Sequence, residues 1–435
     1  MPKRETYIRR QAKRLSEGQI DRRRFVMSAL ATGVTMPTAM SLASRAEASV
    51  PRYGGHLRFG VPDKTRRANA LNAALYDSLT RIDGNGHVRL NLAKSLDTDD
   101  GGRTWHLALR DDVTFHSGAP LRADDVIWSL TRADMAGDMI QATDRLIDTI
   151  QQDGLARLRL RLRLPYIDFP RILALPDLGI RRLDPARPGV LDGTGPYRVH
   201  SSADGAFQLE KNPNDWRPAR GYFDEITLID LPDPKARLSA IMNRDVHLVA
   251  GIAPEARAGL AHMPGIALHN TPRARHIAMI FPDHGPLANP DVRGAVKASI
   301  HPEHLLQAVL LGQGEAPPIS TPTNRMARTV PGPLPICVES ETPAARAALV
   351  QIISDATSKG LNLIETPHSP EAMLLRESGT PDVLRQFLIK TAPGGADTHV
   401  PLWIDDVAAH TADLAYAPNA AEGVVQSWWF KDAAT

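Results

Sequence analysis

Two histidines have a spacing that could bind a metal ion. His301 and His304 are three residues apart at the start of a predicted helix, so their rings project from neighbouring positions of one helical surface. Imidazole nitrogens are ligands for zinc and other transition metals. With Glu303 between them, the pair is typical of the solvated start of a surface helix, and a pair of metal ligands is the alternative. A metal-dependent enzyme and a plain helix start therefore both stay open.

A strict alternation of arginine and leucine runs from Arg157 to Leu164. Successive side chains of a strand point to opposite faces, so the pattern predicts four arginines on one face and four leucines on the other. One interpretation is an outer strand with a charged solvent face. The other is a surface that binds an anionic partner.

Motifs of the commonest enzyme classes are absent from the sequence. There is no Gly-x-Ser-x-Gly elbow, no GxxxxGK[ST] phosphate loop, no GxGxxG after a strand and no HExxH. The single cysteine, Cys337, excludes an intramolecular disulfide and every multi-cysteine metal site. Its position in a predicted strand indicates a buried, unreactive thiol. The commonest enzyme classes that a sequence can reveal are therefore unsupported, and no cofactor is expected.

The length and the charge distribution limit the class of protein. A chain of 435 residues is long enough for two or three domains. Lys and Arg number 51 against 49 Asp and Glu, but residues 1–48 alone hold ten basic and four acidic residues. The remainder is slightly acidic, with 41 basic and 45 acidic residues. Nucleic-acid binding needs a concentrated basic face and is not expected.

The N-terminal segment has the pattern of an export signal. Arg22, Arg23 and Phe25 lie in a twin-arginine motif, and a weakly apolar stretch follows from residue 26 to residue 44. Ala46 and Ala48 form a small-x-small cleavage site. An uncleaved membrane anchor and a cytosolic amphipathic segment are the alternatives. The main prediction is a signal peptide over residues 1–48 and a soluble, periplasmic mature chain.

The remaining chain alternates between predicted strands and helices, which favours an α/β or mixed architecture. The predicted strands are 56–61, 104–109 paired with 113–116, 157–164, 207–210, 226–229, 246–249, 277–280, 336–338 and 361–364. The predicted helices are 72–79, 121–133, 290–299, 302–311 and 343–356. Residues 336–364 would form a β-α-β unit.

An ordered series of segments resembles the large solute-binding proteins of ATP-driven importers, the family that takes oligopeptides, dipeptides and nickel chelates. The segments are Gly54–Arg58, Leu75–Thr80, Leu92–Leu96, Thr104–Leu107, Leu109–Val113, Phe115–Leu121, Ala123–Leu130, Gly193–Tyr197, Asn212–Trp216 and Val292–Val296. Their order and spacing carry the resemblance, which covers most of the mature chain.

The resemblance implies a two-lobed clamshell of mixed sheets flanked by helices, of the large peptide-binding, class II-like type. Lobe I would comprise residues 49–253 and 399–435, and a shortened lobe II would comprise 254–398. The implied function is capture of a peptide-like, opine-like or metal-chelate solute between the lobes and delivery to an inner-membrane permease. The expected protein is a monomer without enzymatic activity, exported by the twin-arginine machinery.

The resemblance also implies where a solute would bind. Lys64 and Arg66 lie in the loop after the first strand, where relatives approach the ligand, and their charges would favour an anionic group. Trp403, near the second crossing between the lobes, would form an apolar wall. A solvated basic loop is the alternative for the two cations. Because lobe II is shortened, a degenerate non-transporting paralogue with a sensory, chaperone-like or assembly role is the alternative function.

Overall fold

In the computed structural model of the chain, the described residues are 7–8, 10–12, 14–15, 20–36, 38–40, 42, and 53–430 apart from 84–85, 132–145, 185–190, 204, 218–219, 314–331, 340–341, 368–370, 379–397 and 417–427. The chain divides into two compact units. The first comprises 1–132, 149–249 and 410–435, and the second comprises 133–148 and 250–409. The chain thus passes from one unit to the other after residue 249 and returns after residue 409.

The described strands are β1 His56–Val61, β2 Thr80–Ile82, β3 Val88–Leu90, β4 Ala93–Asp97, β5 Thr104–Leu109, β6 Ile147–Gln152, β7 Arg157–Leu162, β8 Tyr197–Ala203, β9 Ala206–Lys211, β10 Glu225–Asp230, β11 Leu248–Val249, β12 Ile266–Ile280, β13 Leu334–Val338, β14 Leu363–Glu365, β15 Met373–Ser378, β16 Thr398–Thr411, β17 Leu414–Tyr416 and β18 Trp428–Phe430. The described helices are α1 Arg22–Ala31, α2 Lys64–Leu75, α3 Ala123–Thr131, α4 Phe169–Ile172, α5 Pro234–Met242, α6 Pro254–Ala261, α7 Pro290–Ser299, α8 Pro302–Leu310 and α9 Pro343–Ser358. Within this part of the chain, no helix combines the length and the apolar character that crossing a membrane requires.

Proline marks where five of these helices begin. The residues at the first helical position of α5 to α9 are Pro234, Pro254, Pro290, Pro302 and Pro343. The first helical N–H has no intrahelical acceptor, so proline loses nothing there, and its fixed φ suits the helix. The prolines of this chain therefore set helix starts as well as loops.

The first unit contains five neighbouring strands, three of which are parallel. The order of its strands is β11-β1-β10-β9-β8. β1 runs parallel to both β10 and β11, and β9 runs antiparallel to β10. Both α2, which follows β1, and α5, which follows β10, begin at the carboxyl edge of these parallel strands.

A second sheet of the first unit has the order β4-β5-β7-β6. The predicted pairing of 104–109 with 113–116 is wrong, because β5 pairs with β4 and with β7, and Thr114 makes only an isolated bridge to Pro120. The leucine side of β7 explains this pairing. Leu158, Leu160 and Leu162 are all buried, so β7 requires a place inside a sheet that covers an apolar core. Leu164 lies beyond the strand and is 57% exposed.

The second unit contains five neighbouring strands and a core cluster. Its strands have the order β14-β13-β15-β12-β16, and β13 is parallel to β14 and β15. The predicted β-α-β unit is present as β13, α9 and β14, and Cys337 is buried in β13. Apolar side chains of α7, α8 and α9 pack with those of the strands in one core cluster.

A buried ionic network joins three of the segments that carried the sequence resemblance. Arg220 is 5% exposed, and its Nη2 donates to Oδ2 of Asp77 at 2.8 Å and to Oδ1 of Asp215 at 2.7 Å. Thr194 and Trp216 also donate to Asp77 Oδ2, at 3.1 Å and 2.9 Å. The segments around residues 77, 194 and 215 are therefore held at one point, although they are far apart in the sequence.

Candidate functional site

The cationic residues that follow β1 form the first turn of a helix. The prediction of a loop at Lys64 and Arg66 is wrong, and the helix predicted over 72–79 is α2, which begins at Lys64 and ends at Leu75. Asp63 is the reason, because its carboxylate caps the helix by accepting a hydrogen bond from the Arg66 N–H at 2.8 Å. The residues of α2 also include neither glycine nor proline, which removes the usual interruptions of a helix.

This helix start lies at the edge of the sheet where open α/β proteins bind ligands. In such sheets, ligands bind beyond the carboxyl ends of the parallel strands. Here β1 leads into α2, capped by Asp63, and β10 leads into α5, capped by Asp233. Two helix N-termini therefore lie at one edge, and each has a partial positive charge.

Five cations belong to this edge, and we call them the cationic edge: Lys64, Arg66, Arg67, Lys235 and Arg237. Lys64 and Lys235 are exposed, whereas Arg237 is only 6% exposed. Because three carboxylates accompany the five cations, the local charge is positive.

Each arginine of the cationic edge has a defined contact. Arg66 forms an ion pair with Asp63 at 2.6 Å, and Arg67 pairs with Asp230. Arg237 donates to the carbonyl oxygens of Leu231 and Pro232 at 2.7 and 2.8 Å. Burial lowers the pKa of Arg237, and the charge of Arg66 lowers it further. The parallel pairing of β1 with β10 places the two helix starts at the same edge of the sheet.

The arrangement suits recognition of an anionic group. Exposed lysines and helix N-termini attract a carboxylate or phosphate, and Asp63 and Asp230 hold Arg66 and Arg67 in place. The edge offers charge and hydrogen bonds but no nucleophile with an adjacent base.

The other predicted binding residue, Trp403, belongs to the second unit. It lies in β16, and its side chain lies outside what the structure describes. Lys64 and Arg66 both lie in the first turn of α2, but side chains two residues apart in a helix do not face each other. The apolar wall assigned to Trp403 remains a prediction.

The predicted export signal is described in part. Arg22 and Arg23 begin α1, which Asp21 caps by accepting from the Arg24 N–H at 2.7 Å. Phe25 is fully buried in a small cluster, whose other buried members are Leu15, Ile20, Val26, Ala29 and Ala39. The cleavage residues Ala46 and Ala48 lie outside the described residues.

The two histidines considered as metal ligands form part of a helix start. The ring centroids of His301 and His304 are 4.8 Å apart. Asp355 of α9 accepts the His301 N–H at 2.9 Å, and its other oxygen lies 2.9 Å from His304 Nδ1. Among the described residues, no set of three or more His, Cys, Asp or Glu side chains is arranged to hold a metal ion. The geometry therefore favours a capped helix start.

Sequence reasoning missed two features of the site region. Asp230 ends β10 and Arg237 lies in the helix that follows it, and only the parallel pairing of β1 with β10 brings them to the start of α2. The network of Arg220 was also missed, although Asp77, Thr194 and Asp215 each lie in a segment that resembled the family. The spacing of such segments says nothing about which side chains meet.

Comparison with known proteins gives consistent matches. Residues 87–334 match the family described as "Bacterial extracellular solute-binding proteins, family 5 Middle". The oligopeptide-binding protein AppA of Bacillus subtilis is 24% identical over 234 residues, which are 47% of this chain and 42% of AppA. The peptide transport periplasmic protein SapA of Salmonella typhimurium is 26% identical over 329 residues, 67% of this chain and 59% of SapA. The chain thus spans about half the length of the curated relatives it matches.

Solved structures show the same fold. The binding protein AgaA of A. tumefaciens R10, in complex with agropinic acid, matches with a TM-score of 0.70 and 14% identity over 87% of this chain and 99% of AgaA. DppA of Helicobacter pylori, in complex with the peptide STSA, matches with a TM-score of 0.69 and 15% identity over 88% of this chain and 99% of DppA. These likenesses confirm the predicted α/β periplasmic-binding-protein fold with mixed sheets. With a family match over more than half of its length, the chain belongs to family 5 of the bacterial extracellular solute-binding proteins.

Proposed function

We propose that this protein is the substrate-binding component of an ATP-binding-cassette importer. It captures a small solute and delivers it to an inner-membrane permease, without changing any covalent bond of the solute. The observation that carries the proposal is the family match over residues 87–334. The protein acts in the periplasm as a monomer, after export by the twin-arginine route and removal of residues 1–48.

The class of solute follows from the cationic edge together with the ligands of similar proteins. The matched structures include complexes with agropinic acid, with peptides and with a nickel–histidine chelate. Free carboxylates are common to the opine acid and to peptides, and histidine in a chelate also supplies one. Lys64 and Arg66, at the N-terminus of α2, would bind such a carboxylate. We therefore propose a solute that presents a carboxylate.

Native mass spectrometry of the protein purified gently from the periplasm tests this function. A stoichiometric small-molecule adduct, identified after denaturation, would support capture for import. Peptides, opines and metal chelates are then compared by thermal shift, since a solute at a hundred times its Kd stabilises the folded state by about 2.7 kcal/mol. An apo mass with no stabilisation by any of them would contradict the proposal and favour the non-transporting paralogue.

The variant Lys64→Ala tests the position of the carboxylate. Loss of one charge-assisted hydrogen bond of about 1.5–3 kcal/mol is expected to weaken binding of the identified solute roughly 10- to 100-fold. The measurement is calorimetric titration of the wild type and the variant. Lys94→Ala is the matched control, because Lys94 is 60% exposed and pairs with Asp111 in the other sheet of this unit. Equal affinity of wild type and Lys64→Ala would remove Lys64 from the site.

A further inference from the structure

The outward face of the sheet β4-β5-β7-β6 has a polar depression of about 500 Å³. Its size is within the range of small-molecule sites. The lining residues are Ser95, His106, Leu107, Ala108, Gln151, Gln152, Asp153, Arg157, Leu158 and Arg159. All of them belong to the first unit, and none belongs to the cationic edge.

The depression results from the sizes of the side chains in two cross-strand rows. Arg157 is opposite Ala108, which is opposite Ser95, so the middle of this row is a methyl group. In the next row, the larger Arg159 is opposite His106. Directly opposed side chains lie about 5 Å apart, so the small residues form a floor beside taller walls. The register of β4 shifts between Ala93 and Ser95, so the pairing is irregular next to the Ser95–Ala108 pair.

The two arginines of the depression are available to a ligand. Arg157 and Arg159 are exposed, two residues apart on one face, at a spacing of about 7 Å. Neither guanidinium has a hydrogen bond or ion pair among the described residues. Other cations near this sheet are paired, for example Lys94 with Asp111 and Arg110 with Asp112.

The remaining polar groups suit a compact anion. Gln151 and Gln152 bring amide donors, and Ser95 brings a hydroxyl. One carboxylate, Asp153, also lines the depression, which leaves two guanidinium groups against one acid. Asp97, the last residue of β4, lies on the same face, opposite His106.

We propose that this depression is a second solute site of the protein, which binds a small molecule through a carboxylate or phosphate group held by Arg157 and Arg159. The concave shape favours a compact ligand over a flat membrane surface. Asp97 lies outside the lining, so a compact anion can reach both guanidinium groups without contacting it, whereas a broad anionic surface would meet it. The site therefore selects one anionic group with hydrogen-bond acceptors, and its use does not depend on the cationic edge.

Titration of the full chain with inorganic phosphate and with succinate, each by calorimetry, tests the proposal. We expect saturable binding of at least one of the two, with a Kd of about 1 mM or below. The double variant Arg157→Gln/Arg159→Gln should weaken it at least about tenfold, since it loses two charge-assisted contacts. Arg163→Gln is the matched control, because Arg163 follows the same arginine–leucine alternation but does not line the depression.

A second variant tests the shape separately from the charge. Ala108→Leu fills the floor of the depression and keeps both arginines, so it should weaken binding as strongly as the double variant. Both substitutions are on an outward face, and unfolding by denaturant should show near wild-type stability.

Three outcomes would overturn the proposal. The first is equal binding of both probes by wild type, the double variant and Ala108→Leu. The second is no saturable binding of either probe by wild type. The third is binding of vesicles with anionic lipids, lost in the double variant, without saturable binding of phosphate or succinate. The solute identified by native mass spectrometry should still bind the double variant, which separates this site from the proposed import function.

Discussion

Arg220 joins separate segments of the first unit through buried ion pairs. Its side chain is 4% exposed, and the side chains of its partners Asp77 and Asp215 are 3% and 11% exposed. A buried ion pair gains little over an apolar replacement of the whole set, because desolvation offsets the attraction. Removal of one member is different, since it leaves a buried charge without its partner.

The substitution Arg220→Met is therefore expected to destabilise the protein by about 3–5 kcal/mol, measured by unfolding in denaturant. Arg198→Met is the matched control in the same unit, because Arg198 pairs with Glu210 at a site where their side chains are 41% and 36% exposed. An exposed pair contributes about 0–1 kcal/mol. Equal losses in the two variants would contradict the role assigned to Arg220.

The same network predicts a pH dependence of stability. Burial raises the pKa of Asp77, but the charge and hydrogen bonds of Arg220 outweigh it and lower the pKa from 3.8 to about 2. The folded state thus binds the proton less tightly than the unfolded state. The resulting stabilisation is fully present above about pH 4 and is lost as the pH falls towards 2, by about 2 kcal/mol.

Unfolding free energies measured between pH 6 and pH 2 check this expectation, with Asp77→Asn as the comparison. The wild type should lose more stability than the variant between about pH 4 and pH 2, because the variant has no carboxylate to titrate at this position. Parallel pH profiles of the two proteins would exclude Asp77 as the titrating group.

At the scale of elements, glycine lets the end of α2 approach the segment before β8. A Cβ on Gly193 would lie 1.9 Å from the carbonyl oxygen of Leu75 and 2.5 Å from the ring of Tyr76. The carbonyl belongs to the backbone, so it cannot move aside as a flexible side chain could. The close approach brings Thr194 to Asp77 and so supports the buried network.

Gly193→Ala is expected to destabilise the protein by about 3 kcal/mol or more, because the added methyl group overpacks the contact. Gly259→Ala is the control, since a Cβ there has no atom within 4 Å and the residue lies in α6. Alanine in a helix is favoured over glycine by about 0.5–1 kcal/mol, so this variant should be slightly stabilised. The free energy of unfolding of both variants is measured in denaturant. A Gly193→Ala variant as stable as wild type would contradict the close packing.

The elements also show what the sequence could predict. The apolar alternation in β5, β7 and β10 and the start of α7 at Pro290 predict those elements to within one or two residues. The start of α2 was missed because its first turn is polar, and the signal was the capping Asp63. Strand pairing failed for β5, whose partner β7 is distant in sequence. Lys64 and Arg66 directly follow β1, so the sequence could propose them as binding residues. Arg237 follows β10, and its place in the cationic edge depends on the pairing of β1 with β10.

At the scale of the whole molecule, the export proposal has a direct test. Replacement of Arg22 and Arg23 together by lysine should abolish accumulation in the periplasm, because the twin-arginine pair is the recognised feature of the route. Cell fractionation and immunoblotting of wild type and variant measure it. Arg9→Lys/Arg10→Lys is the matched control, with the same charge and the same chemical change outside the motif. Equal periplasmic amounts of the motif variant and wild type would exclude this route.

The return of the chain to the first unit after residue 409 determines when that unit can be finished during synthesis. The Thr411 N–H donates to the carbonyl oxygen of His247, at 2.9 Å, and Trp428 is 1% exposed beside His410. A ribosome adds about 5–20 residues per second, so residues 250–409 separate the two parts by roughly 8–32 s. Throughout that interval the nascent first unit lacks its last strands, and a chaperone has its longest opportunity to bind there.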